Sequence, residues 1–129
     1  MTERMRIGEP AERAAVTPRT IRNYESIGLL PPGAREGLVQ HYYTAVTLAR
    51  LRKIDQLKGS GLGLDEIREV IDLYFSDPSG VQPKQRVLAI LRRHRDEADR
   101  KIAALGQFRA DVQGHIDRFE RWLAETERR

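Results

Sequence analysis

The sequence predicts a mainly α-helical fold, with a helix-turn-helix near its N-terminal end and a long heptad helix towards its C-terminal end. Three observations carry that expectation. Residues 16–32 hold a short helix with both ends marked. Residues 84–126 repeat apolar side chains every seven positions. Aromatics make up only 6% of the 129 residues, against 40% hydrophobic and 33% charged, a balance that suits helices better than an all-β core.

Each element can be justified in turn. Residues 7–15 read as a short helix, with Pro10 tolerated in its first turn. Ala11, Ala14 and Ala15 give it a small face for close packing. Residues 15–17 are the turn to the next helix; such turns often carry Gly, and Ala15 stands there instead. In the next helix Thr17 offers a side-chain oxygen to the free N–H groups of the first turn. Pro18 fits the first helical position, Gly28 supplies a left-handed stop, and Pro31-Pro32 forbid re-entry. Ile21 and Ile27 can then face a core. Arg19, Arg22, Asn23 and Tyr24 are left to face outward, and such groups at the start of a short helix suit a duplex groove.

Thr44 can cap a third helix running to about Lys58, with Leu48, Leu51, Ile54 and Leu57 as its apolar stripe. Arg50 and Lys53 lie off that stripe and could reach phosphates. Gly59-Ser60-Gly61-Leu62-Gly63 breaks the chain. Leu64 to about Phe75 forms the fourth helix, with Asp65 and Glu66 favouring the dipole of its first turn. Its buried face is Ile67, Val70, Ile71 and Tyr74. A turn-rich linker follows, ended by Pro83.

The fifth helix, from about Lys84 to Thr126, carries two seven-residue series. One is Leu91, Ala98, Leu105, Val112 and Phe119; the other is Leu88, Arg95, Ile102, Arg109, Ile116 and Leu123. Together they form one seam with no partner for it elsewhere in the chain. Dimerisation is the economical solution, through Leu91, Ala98, Ile102, Leu105, Val112, Ile116, Phe119 and Leu123. Arg95 and Arg109 interrupt the seam and either weaken it or fix its register.

Residues 6 to about 75 resemble the N-terminal half of MerR-family transcription regulators. The matching residues are Ile7-Gly8-Glu9, Thr17-Pro18-Arg19-Thr20-Ile21-Arg22, Tyr24-Glu25, Gly28-Leu29-Leu30-Pro31-Pro32, Leu48 with Arg50-Leu51, and Leu64-Asp65-Glu66-Ile67-Arg68. The resemblance implies a winged helix-turn-helix with a small β wing, a further helix pair and an antiparallel dimerisation helix. The expected division is a DNA-binding domain over 1–75, a linker over 76–83 and a dimerisation coiled coil over 84–129. The resemblance also implies a homodimer on promoter DNA that bends and untwists the duplex between promoter elements, acting on RNA polymerase indirectly. On this basis Thr17, Arg19, Thr20 and Arg22 approach the major groove. Tyr24, Arg35, His41, Tyr42, Arg50 and Lys53 would position the phosphate backbone, a sequence-neutral task, with a core position as the alternative for Tyr24. Of Tyr42 and Tyr43, one hydroxyl would face phosphate and one ring the wing base, in an order left open.

Three departures from the family pattern stand out. Pro10 replaces an aliphatic core residue, and Asn23 replaces the first of two adjacent aromatics. In the wing, Gln40-His41-Tyr42-Tyr43 removes at least one fixed positive charge from the expected phosphate contact.

Charge distribution agrees with a phosphate-binding surface near the N-terminus. Residues 1–60 carry ten basic against six acidic side chains, residues 61–83 one against five, and residues 84–129 twelve against eight. Zero cysteines exclude disulfides, thiolate metal sites and thiol redox sensing. Many relatives of this architecture sense metals or oxidants through cysteines, and this chain cannot. No cofactor or metal is expected, and His41, His94 and His115 lack paired ligand spacing. No run of about 20 apolar residues and no secretory signal is present, so the expected compartment is the cytoplasm, with no membrane partner. There is no Gly-rich phosphate loop, no zinc-binding His pair and no nucleophile motif, which argues against an enzyme.

A row of Phe108, His115 and Trp122 flanks the heptad seam. The favoured expectation is packing against the partner's DNA-binding half. The sharper alternative is a small-molecule effector pocket formed with Tyr74 and Phe75. A third class, an effector-independent DNA-architectural protein, would use the same winged motif without sensing anything.

Overall fold

A computed structural model of the chain describes residues 4–36 and 40–129. Five helices and a two-stranded ribbon follow in order: α1 (Gly8–Arg13), α2 (Pro18–Ser26), β1 (Ala34–Glu36), β2 (Gln40–Tyr42), α3 (Ala45–Gly59), α4 (Leu64–Ser76) and α5 (Val81–Glu127). This is the mainly helical, winged architecture that the sequence predicts. The chain divides into two compact units, Met1–Leu91 and Arg92–Arg129.

Helix α1 is shorter than expected because the chain turns left-handed at Ala15, with φ 57°. The Val16 amide donates back to the Ala11 carbonyl at 2.9 Å and the Ala15 amide to Glu12 at 3.2 Å. Two other helices end in the same way. The Leu29 amide returns to the Tyr24 carbonyl at 2.9 Å across Gly28, and the Leu62 amide to Leu57 at 3.2 Å across Gly61. Both glycines have positive φ, so the pattern is one stop motif used three times. The residues after the three turns, Val16, Leu29 and Leu62, lie in or against the core, which ties the helix ends to it.

The core of the first unit is built from Ile21, Leu29, Leu30, Leu51, Ile54, Ile67, Val70, Ile71 and Ile90. Leu48, Leu51, Ile54 and Leu57 are buried as their spacing predicts. Pro10 is fully buried, so its ring fills the space an aliphatic side chain would take in α1. In α4 the buried face is Ile67, Val70 and Ile71, with Tyr74 half-buried beside them.

The ribbon pairs Ala34 with Tyr42, Arg35 with His41 and Glu36 with Gln40, antiparallel. Met5 extends it by exchanging two short backbone hydrogen bonds with Tyr43, of 2.7 and 2.6 Å, and is itself buried.

Two helix starts differ from expectation. Thr44 occupies the cap position of α3, yet its side chain makes no capping bond; its carbonyl accepts from Thr47 at 3.0 Å instead. Helix α5 begins at Val81 rather than near Lys84, because Asp77 and Ser79 cap it. The Asp77 carboxylate accepts from the Ser79 hydroxyl at 2.7 Å and the Gln82 amide at 2.9 Å, and the Ser79 hydroxyl oxygen accepts from the Val81 amide at 3.2 Å. The Ser79 hydroxyl first, then the helix amides, hold the Asp77 carboxyl below its ordinary range. Pro83 lies buried in the first turn, where a missing amide proton costs nothing.

In the second unit the helix presents Ile102, Leu105, Phe108, Val112, Ile116, Phe119, Trp122 and Leu123 to solvent. Among the described residues, no helix is long and apolar enough to cross a membrane.

Candidate nucleic-acid interface

Helix α2 is fixed at both ends. At its start the Thr17 hydroxyl oxygen accepts from the Thr20 amide at 3.1 Å, and the two threonine hydroxyls lie 3.0 Å apart. At its end the Arg68 guanidinium, reaching across from α4, donates to the Ile27 carbonyl at 3.0 Å. A cation on the last carbonyls of a helix complements its dipole. Between these ends Ile21 and Tyr24 are buried, while Arg19, Arg22 and Asn23 are exposed. Four of the residues expected at the groove therefore share one short, well-anchored helix: Thr17, Arg19, Thr20 and Arg22. The two arginines are the ones with long side chains extending into solvent.

Tyr24 requires a correction. Its ring is only 5% exposed and belongs to the core, so it packs rather than meeting phosphate. Its spacing of three from Ile21 puts both on the inner side of α2.

The two wing tyrosines face opposite ways. Tyr43 turns inward, 4% exposed, and its hydroxyl donates to the Glu25 carboxylate at 2.7 Å. Tyr42 points the other way, half-buried, with the Arg4 guanidinium 4.6 Å over its ring. His41 is exposed, and its Nδ1 lies 3.2 Å from the Gly33 carbonyl. The side chain of Arg35 lies outside the described residues.

Arg50 and Lys53 also depart from expectation. The Arg50 side chain is only 13% exposed, donates to Asp72 at 2.9 Å, and lies 4.7 Å over the Phe75 ring. Lys53 sits 4.4 Å over the Tyr74 ring and donates to Gln56 at 2.8 Å. Both cations thus link α3 with α4 or with their own helix, rather than extending freely towards a phosphate. The acidic residues 61–83 include the partner that draws Arg50 inward.

These contacts also bear on the aromatic row. Tyr74 and Phe75 are each covered on one face by a cation of α3. Phe108 and Trp122 are exposed on the second unit, where His115, Phe119, Trp122 and Leu123 share one patch of α5. Along the expected seam, Ala98, Ile102, Leu105, Val112, Ile116, Phe119 and Leu123 are exposed, Ile102 at 69%. Leu91 differs: it packs against the core of its own chain.

Sequence reasoning missed three structural supports of α2. Glu25 accepts from both Tyr43 and the Gly33 amide, Gly33 lies flat against Tyr43, and Arg68 caps the helix end. The signal for Glu25 was available, since it is the only acidic side chain in α2.

Residues 5–73 match the family described as MerR HTH family regulatory protein, and residues 48–115 match MerR, DNA binding. The chain is similar to an uncharacterized HTH-type transcriptional regulator of Pseudomonas aeruginosa, 33% identical over 117 residues that cover 88% of this chain and 83% of that one. It is also similar to the HTH-type transcriptional regulator HmrR of Rhizobium leguminosarum bv. viciae, 34% identical over 113 residues, covering 84% and 81%. Among solved structures, the transcription regulator PbrR691 from Ralstonia metallidurans in complex with lead(II) superposes with a TM-score of 0.69 at 30% identity, covering 84% of each chain. The N-terminal part of MtaN, the Bacillus subtilis multidrug transporter activator, gives 0.55 at 28% identity, covering 80% of this chain and 95% of that one.

Proposed function

The chain belongs to the MerR HTH family of DNA-binding transcriptional regulators, and on that premise we propose that it binds promoter DNA as a two-fold dimer, with α2 in the major groove and the wing on the backbone. The observation that carries the proposal is the exposure of Arg19 and Arg22 on a helix whose ends are pinned by Thr17 and Arg68. A guanidinium on a fixed helix can make the paired hydrogen bonds that distinguish guanine in the groove. The basic excess of residues 1–60 supplies the non-specific attraction that precedes such reading.

The proposed dimer forms through the apolar residues of α5 between Ala98 and Leu123. It bends the DNA between two promoter elements and so presents them to RNA polymerase. Distortion of that size costs about 1–6 kcal/mol for a typical site, within reach of the contacts two subunits supply.

Selection of the full chain against random duplexes tests this function. The expected result is an inverted-repeat site whose half-sites lie about one helical turn, or a multiple of it, apart. Enrichment of no sequence at low salt, or of a single asymmetric half-site, contradicts it. Binding at many unrelated sites without promoter preference would favour a DNA-architectural role instead.

A further inference from the structure

A ribbon of two three-residue strands cannot hold its own orientation. Outside its own ladder, two anchors of this wing converge on one carboxylate. The Gly33 amide, just before β1, donates to one Glu25 oxygen at 3.1 Å. The Tyr43 hydroxyl, just after β2, donates to the other at 2.7 Å. Both ends of the ribbon are therefore tied to α2, the helix that carries Arg19 and Arg22.

The packing leaves little slack. A side chain at Gly33 would place its Cβ 2.8 Å from Cζ of Tyr43, so glycine lets the strand lie directly on the ring. Tyr43 is buried, and burial followed by the Glu25 hydrogen bond pushes its phenol above the ordinary range, with the Arg22 charge opposing. The phenol keeps the proton it donates throughout neutral pH. Glu25 itself lies half-buried, so the three groups form a closed contact rather than a solvated pair.

We propose that Glu25 is a positioning residue for DNA binding: by accepting from Gly33 and Tyr43 together, it locks the wing to α2 so that groove and backbone contacts meet the duplex as one rigid unit. The proposal rests on the DNA-binding function above. Its consequence is that wing contacts are pre-oriented and need no ordering when DNA arrives. Without the carboxylate the wing moves independently of α2, and backbone contacts drop out while groove contacts remain.

The test is a salt titration of affinity for the selected duplex and for a random duplex, using full-length wild type, Tyr43→Phe, Glu25→Gln and Glu25→Ala. Thermal unfolding of each variant confirms the fold. Tyr43→Phe keeps the ring against Gly33 and removes only the hydroxyl bond. Loss of one or two phosphate contacts flattens the log–log salt slope by about 0.9 for each. We expect Tyr43→Phe to weaken both duplexes by about 5–20-fold with that flattening, Glu25→Ala to weaken them further, and Glu25→Gln, which keeps one acceptor, to fall between wild type and Glu25→Ala. Folded variants with wild-type affinity and slope overturn the brace. So does a loss confined to the selected duplex at unchanged slope, which would place the effect in base reading. Failure of wild type to bind either duplex overturns the DNA-binding function instead.

Discussion

Tyr42 and Tyr43 are adjacent in the chain and face opposite ways, Tyr43 onto Glu25 and Tyr42 under Arg4. Strand alternation requires that split. The sequence cannot set its phase, because the phase depends on the Met5 bridge and on Glu25, both distant from the wing along the chain. The same limit applies to Arg50 and Tyr24. A helical wheel frees Arg50 for phosphate, yet Asp72 and Phe75 on another helix claim it. Tyr24 reads as an outward phenol until the core that receives it is known. By contrast, Arg19 and Arg22 were legible because caps and core positions within one short segment leave them no inward place. The Tyr43 contact carries its own pH dependence. A phenol whose ionisation is pushed up by folding contributes stability below about pH 10, its ordinary value, and that contribution is lost as pH rises further. Thermal melts between pH 8 and 11 should show wild type losing more than Tyr43→Phe above pH 10. Parallel losses in the two proteins would mean that the buried bond does not couple to folding.

At the level of elements, three helices end with the same left-handed stop, and two of the three use glycine. Gly28 and Gly61 could be found in the sequence because glycine announces the turn. Ala15 hides it, which is why α1 was expected to run two residues too far. Alanine in that conformation is strained by about 1–2 kcal/mol, while glycine costs about 0.4–1 kcal/mol through the freer unfolded chain. Ala15→Gly should therefore be neutral to stabilising by up to about 1.6 kcal/mol, and a β-branched residue there should cost about 1–3 kcal/mol. Urea unfolding with an unchanged m-value checks both. A clear loss of stability in Ala15→Gly together with a neutral Ala15→Val would show that the turn is not left-handed in solution. The start of α5 teaches the complementary lesson. Its cap lies in Asp77 and Ser79, upstream of the heptad signal, so periodicity alone placed the helix too late.

For the whole molecule, the first unit has a closed core and the second is a single helix with large apolar side chains in water. Full burial of such a side chain yields about 1.5–3 kcal/mol, so burying Ile102, Leu105, Val112, Ile116, Phe119 and Leu123 on each of two copies would outweigh the entropic cost of association. The heptad spacing was readable from sequence; that Leu91 packs against the core of its own chain was not, since it depends on the tertiary packing that also buries its neighbour Ile90. An unpaired charge within the proposed seam should undo it. Ile102→Asp is expected to raise the dimer dissociation constant by 100-fold or more, consistent with about 3–5 kcal/mol for an uncompensated buried charge. Sedimentation velocity reads this directly, and an unchanged dimer, or a monomeric wild type at micromolar concentration, would remove the seam from the account.

In the proposed function α2 is the element that reads sequence. Arg19→Ala, titrated against the selected site and against that site with each base pair changed in turn, addresses it most directly. The expected result is a loss of about 1–3 kcal/mol on the selected site and relaxed discrimination at one base pair in each half-site. Unchanged affinity and unchanged discrimination in the folded variant would contradict it.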